Sequence, residues 1–102
     1  MTDIYRAISD PIRRRILQMV AHQECTQSEI VKQFPISQPA IKKHLSILLE
    51  EQLLLEKRQG KYCCYRLNTP VFRHNYLQLQ QELGLILENK LADLKHYLEE
   101  DT

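Results

Sequence analysis

Glycine is scarce, with two in 102 residues, and neither stands in a loop able to cradle phosphate. Nucleotide-binding loops need several glycines to let the backbone close on phosphate oxygens, so those classes are excluded. No nucleophile motif and no convergent carboxylate pair is present, and the acidic pairs fall on predicted helix surfaces. An enzyme is not expected. There is no run of about 18 apolar residues, which excludes a transmembrane helix. The opening MTDIYRAISD lacks the charged start and apolar core of a secretory leader. Three cysteines cannot all pair within one chain, and their spacing is not that of a disulfide framework. A reducing cytoplasm is therefore the expected compartment.

A dominant charge of one sign is also missing, since the formal net charge is +1. The distribution is more informative. Residues 1–66 hold eleven Lys and Arg against seven Asp and Glu, and residues 67–102 hold three against six. A basic front and an acidic tail fit one face for nucleic acid and another for a different partner. At 43% hydrophobic residues the chain can bury one small core. A domain of this size gains stability by dimerising.

The stretch the chain is organised around is residues 34–67, FPISQPAIKKHLSILLEEQLLLEKRQGKYCCYRL. Ser37 is an N-cap residue, and Pro39 sits in the first turn, where its missing N–H costs nothing. Ile41, Leu45 and Leu48, with Ala40 and Leu49 beside them, make one apolar stripe of an amphipathic helix. The other face carries Gln38, Lys42, Lys43 and Ser46, with His44 at its edge and no acid before Glu50. Such a face suits a phosphate-lined groove. A hairpin follows, Leu53 to Arg58 and Lys61 to Leu67, with the turn at Gln59-Gly60 and a cationic tip at Arg58 and Lys61. Alternation turns Cys63, Tyr65 and Leu67 to the core and Tyr62 and Arg66 outward.

Upstream, a short helix over residues 3–8 is capped at Thr2 or Asp3. Ser9 or Asp10 caps a second helix that starts at Pro11 and carries Ile12, Ile16, Leu17, Val20 and Ala21. Arg13, Arg14 and Arg15 fan around it as a solvated face paired to acids; the alternative is a phosphate contact by Arg13 or Arg14. Thr26 and Glu29 have capping-box spacing for a third helix. Phe34-Pro35-Ile36 turns from it into the polar helix, which is helix-turn-helix spacing. Thr69-Pro70 starts a last helix reaching about Glu100, with Gly84 read as a bend or break. Leu87, Leu91, Leu94 and Leu98 step by four, three and four in it, a heptad-like seam.

Three motifs carry a resemblance: AISDPIRRRIL in residues 7–17, ISQPAIKKHLSIL in residues 36–48 and RQGKYCCYRL in residues 58–67. Their wording and order are similar to the ArsR-type winged helix-turn-helix repressors, over roughly residues 4–70. The resemblance implies a mainly α fold with a small β-hairpin, dimeric through its N- and C-terminal helices. Residues 1–70 would be the winged helix-turn-helix and residues 71–102 a dimerisation helix of the same domain. It implies a repressor that binds double-stranded DNA at a pseudo-palindromic operator. Gln38, Lys42 and Lys43 would reach base edges, and Pro39 a thymine methyl. Ser37, Ser46 and Tyr62 would contact phosphate or sugar, with Arg58 and Lys61 adding phosphate attraction. Ile4, Tyr5, Ile8, Leu79, Leu83, Leu87, Leu91 and Leu94 would form the dimer seam; the alternative is a last helix folded back on its own core.

Many such repressors sense metals, but the residues here do not match either familiar site. In ECTQSEI the single Cys25 lies one place before the usual first thiol, with Thr26 and Ser28 at the ligand positions. The last helix starts Asn68-Thr69-Pro70-Val71, without a ligand pair. No metal or cofactor is expected, and the chain is most similar to autorepressors without a metal site, switched by expression level, by a sequestering protein partner or by an unidentified ligand. A thiol- or metal-responsive sensor of the same fold, and an interaction module without DNA binding, are the alternatives. The position before Leu53-Leu54, commonly glycine in these proteins to end the recognition helix in a left-handed conformation, is Gln52.

Overall fold

A computed structural model describes residues 2–100. The order is α1 (Ile4–Ile8), α2 (Pro11–His22), β1 (Cys25–Thr26), α3 (Gln27–Lys32), α4 (Gln38–Glu50), β2 (Leu54–Gln59), β3 (Tyr62–Leu67) and α5 (Thr69–Glu100). It is a mainly helical winged helix-turn-helix with a small antiparallel sheet.

Each helix start is written in its cap. Asp3 accepts from Arg6 N–H at 3.0 Å, and Asp10 from Ile12 and Arg13 N–H at 2.7 and 3.3 Å. Ser37 Oγ accepts from Ala40 N–H at 3.3 Å. Thr26 Oγ1 accepts from Glu29 N–H and donates to the Glu29 carboxylate, both at 3.1 Å. These bonds satisfy N–H groups that have no intrahelical partner. The core gathers Ala7 of α1, Ile16 and Val20 of α2, Ile30 of α3, and Ile41, Leu45 and Leu48 of α4, with Leu53, Leu54 and Tyr65 of the wing.

Three local expectations are corrected. The sheet has three strands, not two, in the order β1-β3-β2. Cys25 pairs with Tyr65 and Thr26 with Cys64, so Cys64 is buried although it points away from Tyr65. The hairpin turn is Gly60-Lys61 rather than Gln59-Gly60, because Gln59 pairs with Tyr62. Gly60 at φ +61° explains the shift: a two-residue hairpin loop needs positive φ at its first position, and glycine supplies it without strain. The turn between α3 and α4 covers residues 33–37, longer than the expected Phe34-Pro35-Ile36.

The α4 terminus keeps the left-handed corner without glycine. Gln52 has φ +63°. Gln52 N–H bonds the Leu49 carbonyl and Leu53 N–H the Leu48 carbonyl, each at 3.0 Å, which is the Schellman pattern. The Gln52 carbonyl accepts from Asn68 Nδ2 at 2.8 Å, tying the corner to the start of α5. A Cβ in this conformation is strained by roughly 1 kcal/mol. Gln52→Gly is therefore expected to stabilise the fold by about 0.5–1 kcal/mol, read as a higher denaturation midpoint at unchanged slope.

Glu51, buried at the end of α4, fastens α1. It accepts from Asp3 N–H at 2.8 Å and from Arg6 Nη1 at 2.8 Å, while Arg6 also meets Glu50 at 3.0 Å. The Asp3 N–H and then the Arg6 guanidinium hold the Glu51 carboxyl below the usual range, against the opposing effect of burial. A depressed folded value means that the unfolded chain binds the proton more tightly. This stabilisation is complete above the ordinary value of 4.5 and drains as pH falls through the lower folded value. Glu51→Gln is expected to cost about 1–2 kcal/mol at neutral pH and to flatten the acid limb of a stability–pH curve.

The last helix leaves the core. Its first turns pack through Val71 and Phe72, and Asn75 is buried with its amide on the Val71 carbonyl at 2.8 Å. The Asn68 carbonyl takes the first helical bond, from Phe72 N–H at 2.9 Å, so the cap is Asn68 and Thr69 is already helical. From residue 80 to residue 99 every side chain is exposed. The helix does not break at Gly84 and does not fold back: the molecule extends 70 × 29 × 22 Å. Among the described residues no helix is long and apolar enough to cross a membrane.

Candidate nucleic-acid interface

Burying Ile41, Leu45 and Leu48 fixes which side of α4 faces outward. At 3.6 residues per turn, Gln38, Pro39, Lys42, Lys43 and Ser46 fall within an arc of about 140°. All five are exposed, as are Ser37, Arg58, Lys61 and Tyr62. Tyr62 is 63% exposed, a high value for an aromatic residue in a strand. A groove of about 340 Å³ joins the two parts: Gln38 of α4 and Thr26, Gln27 and Ser28 at the start of α3 line one side, Lys61, Tyr62 and Cys63 of the wing the other. The wing tip and the N-terminus of α4 thus open onto one channel, which carries one cation, Lys61, and the amides of Gln27 and Gln38, and has no carboxylate in its lining.

Two expectations on the flanks are corrected. The arginine triplet is a solvated row only in part: Arg14 and Arg15 are exposed and Arg13 is not, and none of the three forms an ion pair with an acid among the described residues. Arg13 is buried, Arg14 donates to the Ile8 carbonyl at 2.6 Å, and the Arg15 guanidinium lies 5.3 Å from the centre of the Phe34 ring. Arg13 is likewise withdrawn from any phosphate, because its guanidinium is committed inside the fold. His44, placed by sequence at the edge of the polar face, turns inward and meets Arg13 Nη1 at 3.1 Å. Consecutive arginines read as polarity hid this burial; the signal that could have exposed it is the unmatched polar His44 beside the apolar stripe of α4.

The thiols are quiet. Cys25 is buried and donates to the Gln23 carbonyl at 3.2 Å; burial and then the Glu29 charge push its pKa up. Cys63 donates to Glu56 at 2.7 Å, and burial and then Glu56 raise its pKa too. Strand pairing turns Cys63 and Cys64 to opposite faces of the sheet. Among the described residues no three His, Cys, Asp or Glu side chains gather as a metal site.

A second surface lies along α5. Tyr5 of α1 is 51% exposed, and Leu83, Leu87, Leu91 and Leu94 of α5 are 52–59% exposed. Tyr5 and Leu79 line one shallow pocket between α1 and α5. Ile8 is half-buried, whereas Ile4, at 7% exposed, belongs to the core of its own chain.

A family model described as "Bacterial regulatory protein, arsR family" matches residues 10–55. The chain is 38% identical over 73 residues to a Bacillus subtilis protein named "Transcriptional repressor SdpR", covering 72% of this chain and 81% of that one. It is 35% identical over 94 residues to the "Arsenic resistance transcriptional regulator ArsR2" of Pseudomonas putida, covering 87% and 82%. The solved structure of an "ArsR-like Transcriptional Regulator" from Rhodococcus sp. RHA1 aligns with a TM-score of 0.74 at 26% identity, over 94% of this chain and 87% of that one.

Proposed function

The chain belongs to the arsR family of bacterial regulatory proteins, and from that premise we propose that it is a DNA-binding transcriptional repressor acting as a homodimer. The observation that carries this reading is the outward face of α4, free of acid before Glu50, opening onto the same groove as the wing tip. Gln38, Lys42 and Lys43 meet base edges, Ser37, Ser46 and Tyr62 meet phosphate or sugar, and Pro39 meets a thymine methyl. Arg58 and Lys61 add phosphate attraction as the wing runs along the flanking backbone. Two copies joined through α1 and α5 present two α4 helices to successive major grooves of a pseudo-palindromic operator, about 34 Å apart.

Fluorescence anisotropy with the chain's own promoter tests this. The expected result is a Kd of about 10⁻⁸ M or tighter, at least about a thousandfold below that for scrambled duplex. Equal affinity for both duplexes would refute sequence-specific repression. The thiol-responsive alternative needs a thiolate near neutral pH. The upward-shifted thiols of Cys25 and Cys63 work against it.

A further inference from the structure

Arg13 is 8% exposed, and no carboxylate forms an ion pair with it among the described residues. A guanidinium withdrawn from water without a counterion is costly unless its donors are satisfied. Here Nε donates to the Ala7 carbonyl at 3.0 Å, and Nη2 to the Arg6 carbonyl at 2.9 Å and to Ser9 Oγ at 3.2 Å. The remaining contact is Nη1 to His44 Nδ1 at 3.1 Å. Three partners belong to α1 and its C-cap, and the fourth to α4. One side chain of α2 therefore clasps the end of α1 to the middle of α4.

A guanidinium offers no lone pair, so Nδ1 of His44 must be the acceptor and the neutral ring carries its hydrogen on Nε2. His44 lies about 160° around α4 from both Lys42 and Ser46, so the ring is on the side turned away from the outward face. It has the geometry of a fastening, not of a DNA contact. A second fastening holds the far end of α4, where Glu50 and Glu51 meet Arg6.

We propose that Arg13 and His44 are a positioning pair that fixes how α4 is presented to DNA, and that the pair holds only while His44 is neutral, so that acidification weakens operator binding. This rests on α4 being the DNA-contacting helix. A proton on Nδ1 removes the lone pair that Arg13 uses and sets two cations against each other at contact distance. The charged groups facing His44 from α2 and its cap are Arg13, in contact, and Asp10, acting through space. Burial raises the Asp10 pKa, but the Ile12 and Arg13 N–H groups outweigh it and leave the carboxyl below its usual range, so Asp10 stays ionised throughout. The Arg6 guanidinium of α1 is committed to Glu50 and Glu51.

The sign is diagnostic, because protonating a histidine ordinarily adds positive charge and strengthens attraction to phosphate. The test measures promoter binding by the full chain at about pH 7.5 and about pH 5.5, at fixed ionic strength, across the range in which imidazoles take up a proton. His44→Asn keeps an acceptor near the Nδ1 position without titrating, and His44→Leu removes it. Wild type is expected to lose about tenfold in affinity on acidification. His44→Asn should stay within about threefold of wild type at the higher pH and not weaken at the lower one, while His44→Leu should lose about tenfold at the higher pH with its circular dichroism unchanged. Nitrogen-15 spectra of the free protein should show the Nε2–H tautomer of His44 at the higher pH, independently of DNA. The Nδ1–H tautomer, acid weakening of His44→Asn equal to wild type, or wild-type affinity in His44→Leu would each overturn the proposal. Failure of wild type to bind promoter DNA at either pH would instead remove the reading of α4 on which it rests.

Discussion

Lys42→Ala together with Lys43→Ala is expected to weaken promoter binding by at least about a hundredfold at moderate salt. Both side chains are exposed, and neither makes a hydrogen bond or ion pair within the chain among the described residues, so the fold should not change. The expected loss has two parts. Each lysine that sits on a phosphate releases about one counterion, so removing two should lower the slope of log affinity against log salt by up to about 2. Each that reaches a base edge contributes about 1–3 kcal/mol of discrimination, so the ratio of promoter to scrambled affinity should shrink as well. The salt slope and the specificity ratio separate the two roles, since a lysine acting only on phosphate changes the first alone. An unchanged affinity at all salt concentrations would mean that α4 is not the helix that meets DNA. Arg58→Ala plus Lys61→Ala at the wing tip should lower the slope in the same way while leaving specificity nearly intact.

Most of what positions this interface is legible in the sequence because it is local. Ser37 with Pro39 writes the start of α4, and the Ile41–Leu45–Leu48 stripe decides which side faces out; both are set by residues a few positions apart. What stayed hidden depends on contacts distant in sequence or on single backbone angles. The strand at Cys25–Thr26 is two residues long and exists only because Tyr65 and Cys64 pair with it across some forty residues. No periodicity test can register two residues. The hairpin turn lies one residue later than its dipeptide suggests, because either dipeptide containing Gly60 is an acceptable turn until cross-strand register chooses. Gln52 is the reverse case. The familiar glycine is absent, yet the corner forms, because the Leu53 and Gln52 N–H bonds and the burial of Leu53 outweigh about 1 kcal/mol of strain. Arg13 shows the largest gap between type and environment. Nothing in a run of three arginines tells which one is turned inward, since that is decided by where the end of α1 and His44 arrive in three dimensions.

Charge placed on the apolar band of α5, as Leu83→Glu with Leu87→Glu, is expected to convert a micromolar solution from dimer to monomer. The reason lies in the helix itself. From residue 80 to residue 99 every side chain is exposed, and a stretch of about twenty residues with no buried face is marginal as an isolated helix in water. Its leucines are exposed at 52–59%, far more apolar surface than a lone helix would keep in water, and a second copy related by a two-fold axis can cover the same band on itself. Two carboxylates facing their symmetry mates at such a seam would be desolvated like charges, which disfavours association by several kcal/mol. Sedimentation equilibrium should then report the mass of one chain. Operator affinity should fall by about a hundredfold or more, because a monomer engages one half-site and loses the effective concentration that links the second. The groove between α4 and the wing is remote from these substitutions, so non-specific binding at low salt should persist, separating loss of the dimer from loss of the DNA face. A double variant that stays dimeric would place the seam on the Tyr5 and Ile8 side of α1 instead, and would leave the leucines of α5 free for a different protein.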